Sequence, residues 1–155
     1  MRVLLLAGTH LAAVGLGFAL GIYLLPILTA PESPGVEMVQ AAAESARFTG
    51  TFRRDLTDSD ALHWGEGTLS VGAEAIVFEG NLAPGPDYRL YLSPEFVETE
   101  ADFEALRSDM VQVGSIRTFE NFMVAVPEAV DPAGYNAAIV WCETFGQFIT
   151  AAAYQ

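Results

Sequence analysis

The sequence predicts a mostly β domain, an antiparallel β-sandwich of about eight strands with one short helix, behind one N-terminal transmembrane helix. The first sign is a stretch from residue 3 to residue 28 that contains no Asp, Glu, Lys or Arg. The second is a series of short runs rich in Val, Ile, Phe, Tyr and Trp, which recur about every 8–12 residues and end at turn-forming residues. Because the chain has only one cysteine, packing rather than an intrachain disulfide must stabilise the fold.

The apolar segment is longer than a signal peptide requires. A helix of about 26 residues extends roughly 39 Å, more than the ~30 Å hydrocarbon core of a bilayer. A signal-peptide core has only about 7–15 apolar residues, and the one candidate cleavage site, Leu28-Thr29-Ala30, has a bulky residue three before the cut. We therefore expect residues 1–30 to be a retained signal-anchor, with a cleaved signal as the alternative.

Charges beside this segment predict its orientation. Arg2 precedes it, whereas Glu32, Glu37 and Glu44 follow before the next cation, Arg47. Because positive residues favour the cytoplasmic side, we expect a cytoplasmic N-terminus and a domain on the other side of the membrane.

Small residues recur every fourth position along the helix, at Thr9, Ala13, Gly17 and Gly21. A helix places them on one face, where another helix can approach closely. This predicts packing against another membrane protein or a second copy of the chain. The alternative is that Gly and Ala are simply common in membrane helices.

The rest of the chain divides into a linker, residues 31–46, and a domain, residues 47–155. The linker begins as a Pro-rich polar spacer, and its second half is consistent with a turn or two of helix. Thr99-Glu100-Ala101-Asp102 resembles a capping box and predicts the one helix of the domain. The predicted strands are Arg47–Arg53, His63–Val71, Ala75–Asn81, Tyr88–Leu92, Met110–Ile116, Asn121–Val126, Ala137–Thr144 and Gln147–Tyr154.

The net charge of the domain limits the classes of partner that it is expected to bind. Past residue 30, six arginines and no lysine face all twenty acidic residues. So acidic a surface repels phosphate backbones, which excludes nucleic acid as an expected partner.

Cys142 lies in the most apolar predicted strand, beside Trp141. Alternation places Ala138, Val140 and Cys142 on one face and Ile139, Trp141 and Glu143 on the other. Since Glu143 requires water, we expect the Trp141 face to open there and Cys142 to point inward. The thiol is then either a small buried hydrophobe or a shielded redox group.

Few other residues suggest chemistry. His63 is the only histidine of the domain, so a copper site with two histidines and one cysteine cannot form within the chain, and no metal site is expected. His63 stands near Asp60 and Glu66, as a general base would, but no nucleophile motif accompanies it. The alternative is a hydrogen-bonded histidine at the start of a strand.

Several motifs resemble one known family. They are, in order, Gly50-Thr51-Phe52, His63-Trp64-Gly65-Glu66-Gly67-Thr68, Phe78, Gly85-Pro86-Asp87 with the apolar strand that follows, Val113-Gly114-Ser115-Ile116, Val126-Pro127, and Ile139-Val140-Trp141-Cys142 with Phe145. Over residues 47–154 this pattern resembles the DM-thirteen domain, a small extracytoplasmic domain proposed for electron transfer. One departure is that Ile149 and Thr150 replace the family's frequent Phe-Gly.

The resemblance implies a β-sandwich in which Cys142 is the proposed redox residue, with Trp141 beside it and His63 and Asp87 as supporting residues. Since bacterial relatives are often anchored by one helix, it also implies a bacterial inner-membrane protein with a periplasmic domain. One thiol cannot complete a dithiol cycle alone, so a cofactor, a sulfenic acid or a partner thiol is required, and the cofactor is not identified.

Two functions follow from these observations. The first is electron transfer through Cys142 beside a membrane partner. The second is a non-enzymatic module, an accessory subunit that docks a larger membrane complex, such as a respiratory one, through the helix face. Hydrolase signatures are absent from the sequence, and we expect no enzyme activity of that kind.

Overall fold

The computed structural model describes residues 1–155 and contains three α-helices and eight β-strands. The helices are α1 (Arg2–Thr29), α2 (Val36–Ala43) and α3 (Glu100–Leu106). The strands are β1 (Phe48–Phe52), β2 (Gly65–Val71), β3 (Ala75–Leu82), β4 (Tyr88–Ser93), β5 (Val111–Ile116), β6 (Phe122–Ala125), β7 (Ala137–Cys142) and β8 (Gln147–Ala153).

The strands form two antiparallel sheets of four, ordered β1-β2-β3-β6 and β5-β4-β7-β8. Nineteen buried residues from both sheets make one continuous core, with Phe52, Leu69, Phe78, Leu90 and Val140 among them. The predicted β-sandwich of eight strands is therefore confirmed. Burial of this apolar surface, at roughly 25 cal/mol per Å², is the main force that holds the sheets together.

Each predicted strand exists, with its ends shifted by one or two residues. The start of β2, for example, was predicted at His63 and lies at Gly65. The Asp60 carboxylate accepts hydrogen bonds from the backbone N–H groups of Leu62 and His63, at 2.6 and 2.8 Å. These groups are thereby used in a turn and cannot join the strand ladder.

Glycines let β2 and β3 approach closely. Gly67 and Gly80 face each other in this pair, with φ values of +148° and +159° that L-residues rarely adopt. A Cβ at either position would overlap the carbonyl oxygen of a residue in the opposite strand. The close approach of the two backbones therefore explains why the start of β2 is rich in glycine.

The outer face of the second sheet carries a separate hydrophobic cluster. Helix α3 covers it, and Phe103 stacks on Trp141 with ring centroids 3.9 Å apart and planes 9° apart. The expectation that the Trp141 face opens to solvent is therefore wrong, because Trp141 is 1% exposed. Residues distant in sequence, including Leu56 and Val97, complete the cover.

Helix α3 begins as its sequence predicts. The side chain of Thr99 accepts a hydrogen bond from the backbone N–H of Asp102 at 3.1 Å, which satisfies one of the free donors of the first turn. The cap sets the position at which the helix starts and so orients Phe103 onto the sheet.

Two segments precede the sandwich. Helix α1 is long and apolar enough to cross a membrane. Helix α2 occupies the second half of the predicted linker and packs on β3, where Val39 is 1% exposed. In addition, the Asn121 side chain donates a hydrogen bond to the carbonyl of Pro34 at 3.2 Å. The chain between α1 and the sandwich is therefore fixed to the domain surface.

Replacing Phe103 by alanine should lower the free energy of unfolding by about 3–5 kcal/mol, the usual cost of removing a buried aromatic ring. The measurement is urea denaturation of the full-length protein in detergent, followed by circular dichroism. Phe96→Ala is the matched control, because Phe96 is 41% exposed and its loss leaves no cavity. Equal losses in the two variants would contradict the packing of α3 on Trp141.

Candidate functional site

Strand β7 is the scaffold of the candidate site, and all six of its residues are buried. Its side chains alternate between the two hydrophobic clusters. Cys142 belongs to the core between the sheets, whereas Trp141 belongs to the cluster under α3. The prediction that Cys142 points inward is confirmed by its place in the core between the sheets, although its premise, an open Trp141 face, was wrong.

A cavity of about 460 Å³ lies where this end of the sandwich meets helix α1, and we name it the Cys142 cavity. Ala19, Ile22 and Tyr23 line it from the helix. From the sandwich, its walls include Cys142 and Tyr88, which face each other across the β4–β7 pair. The thiol is thus part of the wall of a ligand-sized space.

The same cavity is lined by His63. The Nδ1 atom of His63 lies 3.0 Å from the Asp60 carboxylate. Because a carboxylate only accepts hydrogen bonds, Nδ1 carries the hydrogen and donates it; in the neutral form of the ring, Nε2 is then the acceptor nitrogen. Backbone donation from Leu62 and the hydrogen bond from His63 lower the pKa of Asp60, so the carboxylate stays charged.

The environment of Cys142 favours the protonated thiol. Burial raises its pKa above the ordinary value of 9.0, and the nearby hydrogen bonds from backbone groups only partly oppose this. A protonated thiol is a weak nucleophile and a weak metal ligand. In addition, no group of three His, Cys, Asp or Glu side chains gathers anywhere in the chain.

Asp87 lies beside the Cys142 cavity rather than in its wall. Its carboxylate pairs with Arg89 at 2.8 Å and accepts a hydrogen bond from Thr144 at 3.3 Å. Its backbone carbonyl accepts a hydrogen bond from the N–H of Glu143 at 3.0 Å. Asp87 therefore fastens the turn before β4 to the end of β7.

Glu143, which ends the Trp141 face, is also not free in water. Its carboxylate accepts hydrogen bonds from the guanidinium of Arg107, at 2.7 Å, and from the hydroxyl of Tyr91. Burial raises the pKa of Glu143, but these two donors outweigh it and the net pKa is lowered. This pairing lets a carboxylate sit beside a buried indole.

The structure therefore brings together two of the four candidate residues, Cys142 and His63. Trp141 faces away from them, and Asp87 occupies the neighbouring crevice. Sequence reasoning did not identify Tyr88 as a wall residue. No histidine or cysteine lies near Tyr88 in the sequence, so no local motif marked it as a site residue. Alternation along β4 could only have indicated that its side chain faces the same core as Cys142.

Comparison with known proteins agrees with this geometry. The profile of the electron transfer DM13 family matches residues 51–154. The chain belongs to the DM13 family. No curated protein and no solved structure matches it. The matched range contains the whole second sheet, His63 and Cys142, and the family description, electron transfer, gives the domain a general redox role.

Two measurements on the thiol test this geometry. In the folded DM13 protein, iodoacetamide should modify Cys142 far more slowly than in urea, because the sulfur is buried and protonated. Intact-mass spectrometry follows the reaction. Equal rates in the folded and unfolded protein would contradict the inward position of Cys142.

The pH dependence of stability gives a second test. Because the folded-state pKa of Cys142 is raised, ionisation above 9.0 favours the unfolded chain. The free energy of unfolding should thus fall as pH rises through and beyond that value, and fall less steeply in Cys142→Ala. Parallel curves for the two proteins, obtained by urea denaturation, would contradict the shift.

Proposed function

We propose that this DM13 protein is a membrane-anchored, periplasmic electron-transfer domain that exchanges electrons at its Cys142 end, beside a partner in the bacterial inner membrane. The observation that carries the proposal is that Cys142 and His63 line one cavity, and that helix α1 forms another wall of it. In this proposal, the redox role of the family is carried out at the junction between the domain and the anchor helix.

Anchoring by α1 is supported by its length and composition. Its 28 residues extend about 42 Å as a helix, enough to cross the ~30 Å core of a bilayer and emerge by several residues. No side chain of α1 is buried by the rest of the chain. Arg2 before the helix and acidic residues after it favour a cytoplasmic N-terminus.

The short segment between α1 and α2, which we call the tether, keeps the sandwich near the bilayer. Only six residues separate α1 from α2, and even fully extended they reach about 20 Å. Since α2 packs on β3, the sandwich cannot move far from the end of α1. Leu62 and Phe145, two large apolar side chains that are 56% and 49% exposed, lie on the rim of the Cys142 cavity. Exposed apolar groups at this end fit contact with the membrane surface.

The chemistry of Cys142 limits the mechanism. A single protonated thiol cannot cycle between dithiol and disulfide by itself. Cys142 therefore acts in this proposal as a wall residue that contacts the redox partner or ligand, while His63 provides a nitrogen for hydrogen bonding. The electrons are carried by that partner or ligand, and its position depends on contact with Cys142 and His63.

Replacing Cys142 by alanine should slow electron transfer, because the redox partner or ligand loses its contact with the thiol. The measurement is the rate at which membrane vesicles from the native host reduce an added artificial acceptor. The control variant, Val113→Ala, truncates the same core away from the cavity. Full activity of Cys142→Ala, with normal protein levels, would overturn the assignment of Cys142.

A second candidate function, an accessory subunit of a larger membrane complex, is favoured by the open small-residue face of α1. No atom lies within 4 Å of the position that a Cβ would occupy at Gly17 or Gly21. Thr9 and Ala13 are likewise exposed. A partner helix, or the helix of a second copy, can approach this face without displacing a side chain.

Gly17→Ile with Gly21→Ile should abolish co-purification of the partner in mild detergent, because branched side chains hold helices apart. Gly15→Ile is the matched control, since Gly15 is equally uncovered but lies on another face of the helix. Unchanged co-purification in the double variant, or equal loss in the control, would rule out this face as the docking surface.

A further inference from the structure

We propose that the Cys142 cavity binds an uncharged, lipophilic ring compound with carbonyl or hydroxyl groups, a quinone, that enters from the bilayer. This inference rests on the proposed function, because it requires that α1 lies in the membrane. It adds the chemical class of the ligand and the residues that select it.

The size and walls of the cavity suit such a ring. Its volume of about 460 Å³ falls within the ~300–1,000 Å³ range of small-molecule sites. Most of the surface is apolar, with Tyr23, Tyr88 and Phe145 providing aromatic rings and Ile22 and Ile149 aliphatic groups. Aromatic walls favour a flat ring over a flexible chain, because rings gain from offset or edge contacts.

The absence of charge in the lining excludes many redox cofactors. None of the residues that line the cavity is Asp, Glu, Lys or Arg. Nucleotide cofactors carry phosphates that require cations or free backbone donors. The nearby arginines, Arg89 and Arg117, line the adjoining crevice of about 710 Å³ instead. The cavity therefore suits a neutral ligand.

Four polar groups can orient the ring: the imidazole of His63, the thiol of Cys142, the amide of Gln147 and the hydroxyl of Tyr23. The hydroxyl of Tyr88 already donates to the carbonyl of Ala83. His63 is the best placed for recognition, because Asp60 holds its Nδ1 and its Nε2 makes no hydrogen bond in the structure. In the neutral form of the ring, Nε2 can accept a hydrogen bond from a quinol hydroxyl. A ligand lacking oxygen atoms has no such contact.

Access from the membrane follows from the position of the helix. Ala19, Ile22 and Tyr23 belong to the second half of α1, toward the level at which a ~30 Å bilayer core would end. A tyrosine at this depth is typical of the membrane–water boundary. The exposed Leu62 and Phe145 border the same opening, so a lipophilic molecule can pass from lipid to cavity without crossing water.

Binding of a benzoquinone with a short alkyl tail to the full-length protein in phosphatidylcholine nanodiscs tests the proposal. We expect saturable quenching of tryptophan fluorescence, with empty nanodiscs as the blank. An alkylbenzene with the same tail should not displace the quinone. Quenching that does not saturate, or equal displacement by the alkylbenzene, would show lipid-like partitioning and overturn the inference.

Two variants and one control variant locate the site. Ala19→Phe fills the cavity from the helix and leaves the sandwich untouched, so we expect quinone binding to be lost. Ala12→Phe, which adds the same ring to a part of the helix outside the cavity, should bind as the native protein does. His63→Phe keeps a flat ring but removes the acceptor nitrogen, and should weaken binding of the corresponding quinol, which has a hydroxyl to donate, about fivefold, the effect of one neutral hydrogen bond. Binding of the quinone, which has no such donor, should change little.

Binding and electron transfer are measured separately, so the two proposals fail separately. If the native protein transfers electrons through Cys142 but binds no quinone, this inference is wrong and the proposed function stands. If quinone binds at Ala19 and His63 while Cys142→Ala transfers electrons normally, the cavity is a quinone site and the role given to Cys142 is wrong.

Discussion

Burial of β7 on both faces is the constraint on which the rest of the domain depends. A strand of alternating side chains next to the middle of a sheet must cover two apolar faces. The opposite sheet covers one, and α3 with its flanking segments covers the other. Cys142 and Trp141 are therefore neighbours in sequence that lie in different hydrophobic clusters.

Charged side chains are also separated from the cavity at this end of the molecule. The domain is strongly acidic, yet its charges are kept out of the Cys142 cavity. Glu143 is held by Arg107 and Tyr91 on the outer face, and Asp87 is held by Arg89 in the adjoining crevice. What remains in the cavity is a weakly polar, apolar-walled space. Such a space favours a neutral redox molecule over a charged one, because burying an unpaired charge is costly.

The strands were predictable because their signal is local. Alternation and turn residues fix where a strand lies to within one or two residues, and the Thr99 cap does the same for α3. The errors occurred where a contact from elsewhere decided the outcome. Asp60 captured the backbone of His63 before β2, and Phe103 covered Trp141 from a helix about forty residues earlier in the chain. Neither contact is visible in the spacing of apolar residues.

The sequence alone determined the apolar helix, the number and limits of the strands, and the placement of Cys142 and Trp141 on opposite faces of β7, because each depends on the periodicity of neighbouring residues. Only the tertiary structure decided which residues share a site. His63 and Cys142 are about eighty positions apart, and Ala19 belongs to a different element altogether. They meet because the packing of two sheets and a short tether brings their ends together, and no local pattern encodes that distance.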